Sequence, residues 1–202
     1  MNLKKLLARV QRALPTLAPG TFGENDIIDL LNEAQLNIAT VSTKTTALKY
    51  DIDESTDSIP FPPDMLRLVN VFWGKDKKEL EASMNNYMMV DEIPTENAFL
   101  KGEPSVYYVE DGRIVFRPVP LTSNEMTVVY TRKPTEMKDD KDTPDIEGVE
   151  EYLIAYALYR IHMEVGSPSL QLWDQERMRA LAVFTSNHEQ NYSTPFKIVG
   201  RW

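Results

Sequence analysis

The segment VEEYLIAYALYRIHMEV (residues 149–165) decides how the rest of the chain must fold. From Tyr152 to Tyr159 every side chain is aliphatic or aromatic, so a helix here is apolar on all sides and must be buried on all sides. The run is too short to cross a bilayer, which takes about 20 consecutive apolar residues. We therefore expect other helices of the chain, or neighbouring copies of it, to cover this helix.

The composition is that of a folded globular protein, with 202 residues of which 42% are hydrophobic and 26% charged. Cysteine is absent from the sequence, which excludes disulfides, thiolate nucleophiles and sulfur-ligated metal sites. The N-terminal sequence spaces its apolar residues as an amphipathic helix does, and this favours an integral first helix over a cleaved signal peptide. Its basic side chains are interpreted as a solvated face: Lys4, Lys5, Arg9 and Arg12.

The formal net charge is -9, and the acidic excess lies in the middle and the C-terminal part of the chain. Residues 1–49 contain 6 basic and 4 acidic side chains, residues 50–133 contain 9 and 15, and residues 134–202 contain 7 and 12. This balance argues against a protein that grips duplex DNA, because Lys and Arg contacts to phosphates supply most of that affinity. It is compatible with DNA that passes close by without being bound.

The patterns along the chain predict two helices, several strands, two further helices and a tail. The second helix begins near Glu24 and keeps Gln35 off its core face. That face is predicted from residues at helical spacing: Ile27, Leu30, Leu31, Ala34 and Ile38. Strands are expected over residues 47–52, 67–73 and 126–132, forming a compact antiparallel sheet. Asp111 and Gly112, between two apolar runs, predict a hairpin with a type I′ turn.

The sequence also predicts where the last two helices begin. Thr143 can cap a helix and Pro144 fits its first position, so the central helix is expected to begin there. Ser167 is expected to cap a fourth helix over residues 169–189, which folds back on the third as an αα-hairpin. Its core-facing positions are predicted as Leu170, Trp173, Leu181 and Phe184.

These patterns predict an α+β fold. We expect a helical bundle built from both ends of the chain, residues 1–46 and 134–190, and an inserted antiparallel β-rich subdomain at residues 47–133. Residues 191–202 are expected to form an extended C-terminal tail. The tail carries large apolar side chains that either pack back on its own domain or reach a partner.

None of the common catalytic or metal-binding patterns fits the sequence. No GxSxG motif surrounds a serine, and the only histidines are His162 and His188. A histidine inside an apolar helix, as His162 is, is more often a core or subunit-contact residue than a catalytic one. The acidic run at residues 139–145 resembles a calcium loop, but Asp145 stands where an EF-hand needs glycine. We therefore predict no enzyme activity, no cofactor and no metal.

Five phrases of the sequence, taken with the order of elements, resemble a known family. They are NDIIDLLNEAQLNIA, YDIDESTDSIPFPPDMLRLVNVFW, PSVYYVEDGRIVFRPVP, MTVVYTRKPT and DIEGVEEYLIAYALYR. In these phrases the sequence resembles the head-to-tail adaptor (connector) proteins of tailed bacteriophages, including the tail tubular protein A type. The likeness covers residues 25–160 in pattern and nearly the whole chain in element order.

The resemblance implies a structural protein of the virion neck, present in the host bacterial cytoplasm during assembly. It implies a ring, expected to be a dodecamer, that docks beneath the portal protein, joins a downstream tail or nozzle protein and lets genomic DNA pass without specific binding. No membrane contact is implied. The helix of residues 149–165 would build the ring, with a subunit interface at Tyr152, Tyr156, Tyr159 and Arg160. The C-terminal arm would engage the portal through Tyr192, Phe196, Ile198, Val199 and Trp202.

A ligand-binding protein is the alternative interpretation of the β-rich insertion. An aromatic cleft near Trp73, Tyr107 and Tyr108 would hold a peptide, sugar or small molecule, although strand aromatics more often pack in a core. An open cleft lined by these rings would favour ligand binding. An enzyme ranks third, and it would require His162 and a carboxylate to converge in an open pocket.

Overall fold

The computed structural model describes residues 1–14, 22–41, 45–83 and 101–192, with side chains up to residue 187. Within these ranges the chain contains four helices and ten short strands, so the predicted α+β class is confirmed. The chain divides into two compact units. The helical unit comprises Met1–Thr43 and Lys133–Trp202, and the β-rich unit comprises Lys44–Arg132.

The helical unit is organised around its third helix. Its helices are α1 (Leu3–Ala13), α2 (Glu24–Ala39), α3 (Glu150–Glu164) and α4 (Leu170–Tyr192). Helices α1, α2 and α4 each pack against α3, and α1 also contacts α2. Buried apolar side chains therefore lie on all sides of α3, with Met163 exposed near its C-terminal end: Tyr152, Leu153, Ile154, Ala155, Tyr156, Ala157, Leu158 and Ile161. The chain itself supplies the cover that an all-apolar helix requires.

The first two helices bury their predicted faces, with one correction. Asn2 caps α1 by accepting a hydrogen bond from the Lys5 N–H at 3.3 Å. All five predicted core residues of α2 are buried. Gln35, which the sequence places off that face, is also buried, with 1% of its surface exposed. A buried amide is stable only when its polar atoms are paired, and its two partners are described with the site below.

The last two helices begin later than the sequence suggests. The expected start at Thr143 and Pro144 is wrong, because α3 begins at Glu150 with Val149 as its N-cap. Ser167 precedes α4 as predicted, and its Oγ accepts a hydrogen bond from the Ser169 N–H at 3.2 Å. Helix α4 continues to Tyr192, so the first two residues assigned to the tail are helical.

The described residues of the β-rich unit form two four-stranded sheets and a two-stranded one, rather than the single antiparallel sheet expected. Its strands are β1 (Thr46–Ile52), β2 (Ser58–Pro60), β3 (Met65–Trp73), β4 (Lys78–Glu79), β5 (Glu81–Ala82), β6 (Lys101–Gly102), β7 (Val106–Glu110), β8 (Arg113–Arg117), β9 (Val119–Pro120) and β10 (Asn124–Arg132). The orders are β1-β10-β3-β4, β2-β8-β7-β5 and β6-β9. Most pairs are antiparallel, but β5–β7 and β6–β9 are parallel.

The predicted hairpin is present between β7 and β8. Asp111 and Gly112 adopt φ values of 47° and 72°, and positive φ at both central residues is what a type I′ turn requires. The strands pair from Glu110 with Arg113 to Val106 with Arg117. One core then joins strands of both four-stranded sheets, and Trp73 of β3 meets Phe116 of β8 with ring centroids 6.2 Å apart.

Candidate functional site

A carboxylate of α2 joins two side chains of α3. Oε1 of Glu33 accepts hydrogen bonds from the Tyr156 hydroxyl at 2.9 Å and from Arg160 Nη1 at 2.6 Å. The hydrogen bond between Tyr156 and Arg160, together with the charge of Glu33, raises the Arg160 pKa above its ordinary value. The cluster ties α2 to α3 while leaving 43% of the Glu33 side chain and 29% of the Arg160 side chain exposed.

An imidazole ring lies in the contact between α3 and α4. His162 is buried and stacks on Trp173, with ring centroids 5.9 Å apart and planes 22° apart. Neither ring nitrogen has a hydrogen-bond partner within the described structure, and burial lowers the pKa of His162. The ring therefore packs as a neutral core group, and it does not meet the condition of an open pocket shared with a carboxylate.

The same contact is reinforced by an arginine of α4. Cζ of Arg177 lies 4.7 Å from the centroid of the Tyr159 ring, within the range of a cation–π interaction. Its Nη2 also forms an ion pair with Asp174 Oδ1 at 2.6 Å, one turn earlier on α4. The α3–α4 hairpin is thus held by two aromatic contacts, His162 with Trp173 and Tyr159 with Arg177.

The residues predicted for a subunit interface all lie on α3 and already have partners in their own chain. Tyr152 and Tyr156 are buried, with 3% and 5% of their surfaces exposed, and their rings lie 5.9 Å apart. Tyr159 and Arg160 are half-buried. The last two therefore keep some surface that a neighbouring subunit could contact.

Two side-chain amides of α2 hold a segment that lies 100 to 110 residues away in sequence. The Asn32 side chain pairs with both polar atoms of the Met137 backbone: its Nδ2 donates to the carbonyl at 3.0 Å and its Oδ1 accepts from the N–H at 2.9 Å. Gln35 Nε2 donates to the Thr135 carbonyl at 2.9 Å, and Gln35 Oε1 accepts from the Asp145 N–H at 2.8 Å. These bonds are the partners that allow Gln35 to be buried, and they fix the segment leading into α3 against α2.

An open groove of about 420 Å³ lies between α2 and this segment. Apolar and charged side chains line it together: Ile28, Asp29, Asn32, Glu33, Gln35, Leu36, Lys133, Pro134, Glu136, Met137 and Lys138. Sequence patterns did not reveal the groove, because its two walls are far apart along the chain. The one local indication of the groove was Leu36, an apolar residue that lies outside the core face of α2 and is exposed.

The outward face of α4 is a second surface of interest, because it exposes large apolar side chains. Leu172, Met178 and Val183 expose 55%, 52% and 51% of their surfaces. Of the predicted core positions of α4, Phe184 is buried, whereas Leu170, Trp173 and Leu181 are only half-buried. Helix α4 is therefore covered on one side, where it packs on α3.

The basic face of α1 is partly engaged within the helical unit. Lys4, Lys5 and Arg12 are exposed. Arg9 instead forms a two-pronged ion pair with Glu151 at the start of α3, at 2.6 and 3.0 Å. The interaction raises the Arg9 pKa and lowers the Glu151 pKa, in both cases chiefly through the hydrogen bond between the two groups.

The acidic loop before α3 is organised by its own backbone. Asp142 Oδ2 accepts hydrogen bonds from the N–H groups of Lys138 at 2.7 Å and Asp139 at 2.9 Å, and these bonds lower the Asp142 pKa. In the part of the chain that the structure describes, no group of three or more His, Asp or Glu side chains could hold a metal ion. Among those same residues, no helix is long and apolar enough to cross a membrane.

The aromatic residues considered for ligand binding are placed in or beside the core of the β-rich unit. Trp73 and Tyr107 belong to that core, with 4% and 8% of their surfaces exposed, and Tyr108 is half-buried. Burial raises the pKa of the Tyr107 hydroxyl. Because the first two rings are packed inside the sheets, they do not line an open cleft.

The residues predicted for the portal arm fall outside this description. Tyr192 is the last residue of α4, and its side chain is not described. Phe196, Ile198, Val199 and Trp202 lie beyond the described residues. Their role as a partner-binding segment stays a prediction.

Comparison with known proteins agrees with the organisation described above. A search of curated proteins finds no match to the chain. The sequence matches the family of SU10 adaptor proteins over residues 1–198, which is almost the full length of the chain and includes both units. The protein therefore belongs to the SU10 adaptor protein family, a family of bacteriophage structural proteins.

Proposed function

We propose that the protein is a head-to-tail adaptor of the virion neck: a ring, expected to be a dodecamer, that docks beneath the portal and joins it to a tail or nozzle protein. The observation that carries this proposal is the family match, which spans residues 1–198. The surface of the helical unit supports it further. Large apolar side chains are exposed on two different helices, Leu36 on α2 and Leu172 on α4, and exposed apolar surface of this kind is typical of proteins that assemble.

Passage of DNA through the ring is part of the proposal. The chain carries 31 acidic and 22 basic side chains, so its surface repels phosphates more than it attracts them. A channel wall with this balance lets DNA slide, whereas a basic wall would retain it. We expect purified rings to show no measurable affinity for duplex DNA at physiological salt in a fluorescence-anisotropy titration. Binding whose affinity falls steeply with added salt would contradict a non-binding channel.

Mixing the full-length protein with purified portal protein tests the central claim. We expect a stable complex in which rings of the adaptor are seen beneath the portal by electron microscopy. Size-exclusion chromatography with mass measurement gives the stoichiometry directly. A protein that never associates with its portal, at concentrations where both components are folded, would refute the adaptor function.

The C-terminal segment beyond α4 is the proposed portal-binding arm. Deletion of residues 193–202 removes four of its five proposed contact residues and leaves α4 at its observed length. We expect the truncated protein to keep the thermal unfolding midpoint of the full chain. Portal capture in a pull-down assay should weaken by about tenfold or more, because the interface loses apolar side chains that it would bury. A large fall in the unfolding midpoint would show instead that the segment packs on its own helical unit.

A further inference from the structure

Among the described residues of the helical unit, apart from Met1 and Met163, the exposed large apolar side chains form two patches on different helices. The first is the outward face of α4, with Leu172, Met178 and Val183 each about half exposed. The second is at the C-terminal end of α2, where Leu36, and Val41 just beyond the last helical residue, expose 42% and 48% of their surfaces. Each of these helices packs separately on α3. The two patches are therefore distinct surfaces of one subunit.

The outward face of α4 carries few charges. Of the nine residues classed as exposed between 170 and 187, Arg179 is the only charged one, and the partly exposed Asp174 and Glu176 are paired with Arg177 and Arg179. In a chain with 26% charged residues, a solvated helix face would normally carry several charges. Depletion of charge around apolar side chains is the composition found at the centre of protein interfaces.

The patch on α2 borders a groove of matching chemistry. Ile28, Leu36 and Pro134 provide apolar walls, and the groove is about 420 Å³ in volume. Three carboxylates and two lysines line the same groove: Asp29, Glu33, Glu136, Lys133 and Lys138. Glu33 is paired with Arg160 and Glu136 with Lys138, and the lining keeps a small negative excess, which suits a helix face whose most exposed charge is Arg179.

The groove is also pre-formed, because both of its walls are fixed by hydrogen bonds. Asn32 pairs with the Met137 backbone and Gln35 with the Thr135 carbonyl. A surface that does not have to be ordered on binding avoids an entropic cost that otherwise weakens association. The outward face of α4 is likewise carried on a regular helix.

We propose that the outward face of α4 of one copy docks into the α2 groove of the next copy. Because the two surfaces are different, the contact is head-to-tail, and repeating it around an axis gives a closed ring. Leu172, Met178 and Val183 supply the apolar side chains, and Arg179, with 68% of its side chain exposed, meets the carboxylates of the groove. This inference rests on the proposed function, since it names the surfaces that close the adaptor ring.

Cysteine trapping can test the contact cleanly, because the chain contains no cysteine of its own. Three double variants combine Leu36→Cys with Leu172→Cys, Met178→Cys or Val183→Cys. Under mild oxidation in the presence of portal, at least one of them is expected to give a ladder of covalent dimers, trimers and larger species on a non-reducing gel. The ladder disappears on reduction, and each single variant is expected to give little dimer and no larger species, because its cysteine faces no cysteine of the neighbouring copy.

A matched control pairs Val183→Cys with Leu121→Cys. Leu121 is an apolar residue of the β-rich unit and is 56% exposed, so both cysteines are accessible, but Leu121 is not part of the α2 groove that Val183 is proposed to meet. This control is expected to give no ladder. The inference is overturned if none of the three α2–α4 pairs gives a ladder, or if the control ladder is equally intense. A dimer formed efficiently by Val183→Cys alone would also overturn it, because that outcome indicates a symmetric α4–α4 contact.

Solution mass gives an independent measurement on the same contact. Val183→Asp and Leu36→Asp each place a charge on an exposed position, so both are expected to keep the unfolding midpoint of the parent chain. Each variant alone should associate at least about tenfold more weakly, the factor that corresponds to losing one buried aliphatic side chain. An equal mixture should form dimers, because such a pair retains one intact α4 face and one intact groove. If both variants assemble as the parent does, the inference is wrong.

Portal binding of the unmodified protein is measured in parallel and separates the two proposals. A ladder without any portal association refutes the adaptor function but keeps the head-to-tail contact. Portal association without a ladder keeps the adaptor function and refutes this contact.

Discussion

The two helices of the α3–α4 hairpin both carry large apolar side chains, but they bury them to very different extents. Helix α3 has three helical neighbours and buries Leu153 and Leu158 almost completely, whereas the one extensive helical contact of α4 among the described residues is with α3, and Leu172 is more than half exposed. The difference follows from the number of neighbours and not from hydrophobicity alone. The chain itself covers the apolar surface of α3, whereas the exposed apolar surface of α4 is left for a partner to cover.

The largest expected effect comes from the same substitution made on each helix. Leu153→Ala removes a side chain with 0% exposure and should lower the free energy of unfolding by about 2 to 5 kcal/mol through lost burial and the cavity it leaves. Leu172→Ala on α4 should change it by no more than about 0.5 kcal/mol. Urea unfolding of the dilute protein, followed by circular dichroism, measures both. Equal losses would mean that α4 is as well covered as α3.

A smaller effect is expected from the imidazole between the two helices. His162 is neutral when folded because burial lowers its pKa below the ordinary value of 6.5, while the unfolded chain takes up a proton near that value. Stability is thus fully present above pH 6.5 and is lost as the pH falls towards the lowered folded-state pKa, by up to about 1.4 kcal/mol per pH unit.

Replacing this ring by one that cannot be protonated isolates its contribution. His162→Phe keeps an aromatic ring against Trp173 and has no nitrogens to leave unpaired. Between pH 7.5 and pH 5.5 we expect the parent chain to lose stability relative to the variant, by at most about 1.4 kcal/mol, as measured by urea unfolding at each pH. Parallel pH profiles would show that His162 finds a protonated-state partner in the hairpin.

The smallest effect distinguishes the inner side of α4 from its outer side. Arg177 and Arg179 each pair with a carboxylate three residues earlier, Asp174 and Glu176, but only Arg177 lies over the Tyr159 ring. Arg177→Met should therefore cost about 0.5 to 1 kcal/mol more than Arg179→Met. Thermal unfolding of the two variants, compared at the same concentration, measures this difference. Equal midpoints would mean that the contact with Tyr159 contributes nothing.

The parts of the fold that the sequence predicts well are those that depend on local pattern. The all-apolar run at residues 152–159 leads to a helix buried on every side, and Asp111 and Gly112 lead to a hairpin whose turn has positive φ at both positions. In each case the residues that determine the local structure lie within a few positions of one another. Burial of the run and the turn conformation follow from side-chain type alone.

The parts that the sequence misses depend on contacts between distant residues. The segment before α3 resembles a helix start at Thr143 and Pro144, but its backbone is instead bonded to Gln35 through Asp145. Gln35 looks like a surface residue because its burial needs two backbone partners more than 90 residues away in sequence. The α2 groove was missed for the same reason. Three sheets formed where one was expected, since strand partners are chosen by register over long separations.

The neighbouring position of β1 and β10 bears on how such a protein can diversify. Thr46, near the start of the β-rich unit, pairs directly with Tyr130, near its end, and paired strands lie about 5 Å apart. The chain therefore leaves the helical unit and returns to it through a gap that a short linker of a few residues can close. Exchange of the whole insertion for another requires only two splice points, so a lineage can acquire a different β-rich unit while inheriting its helices unchanged.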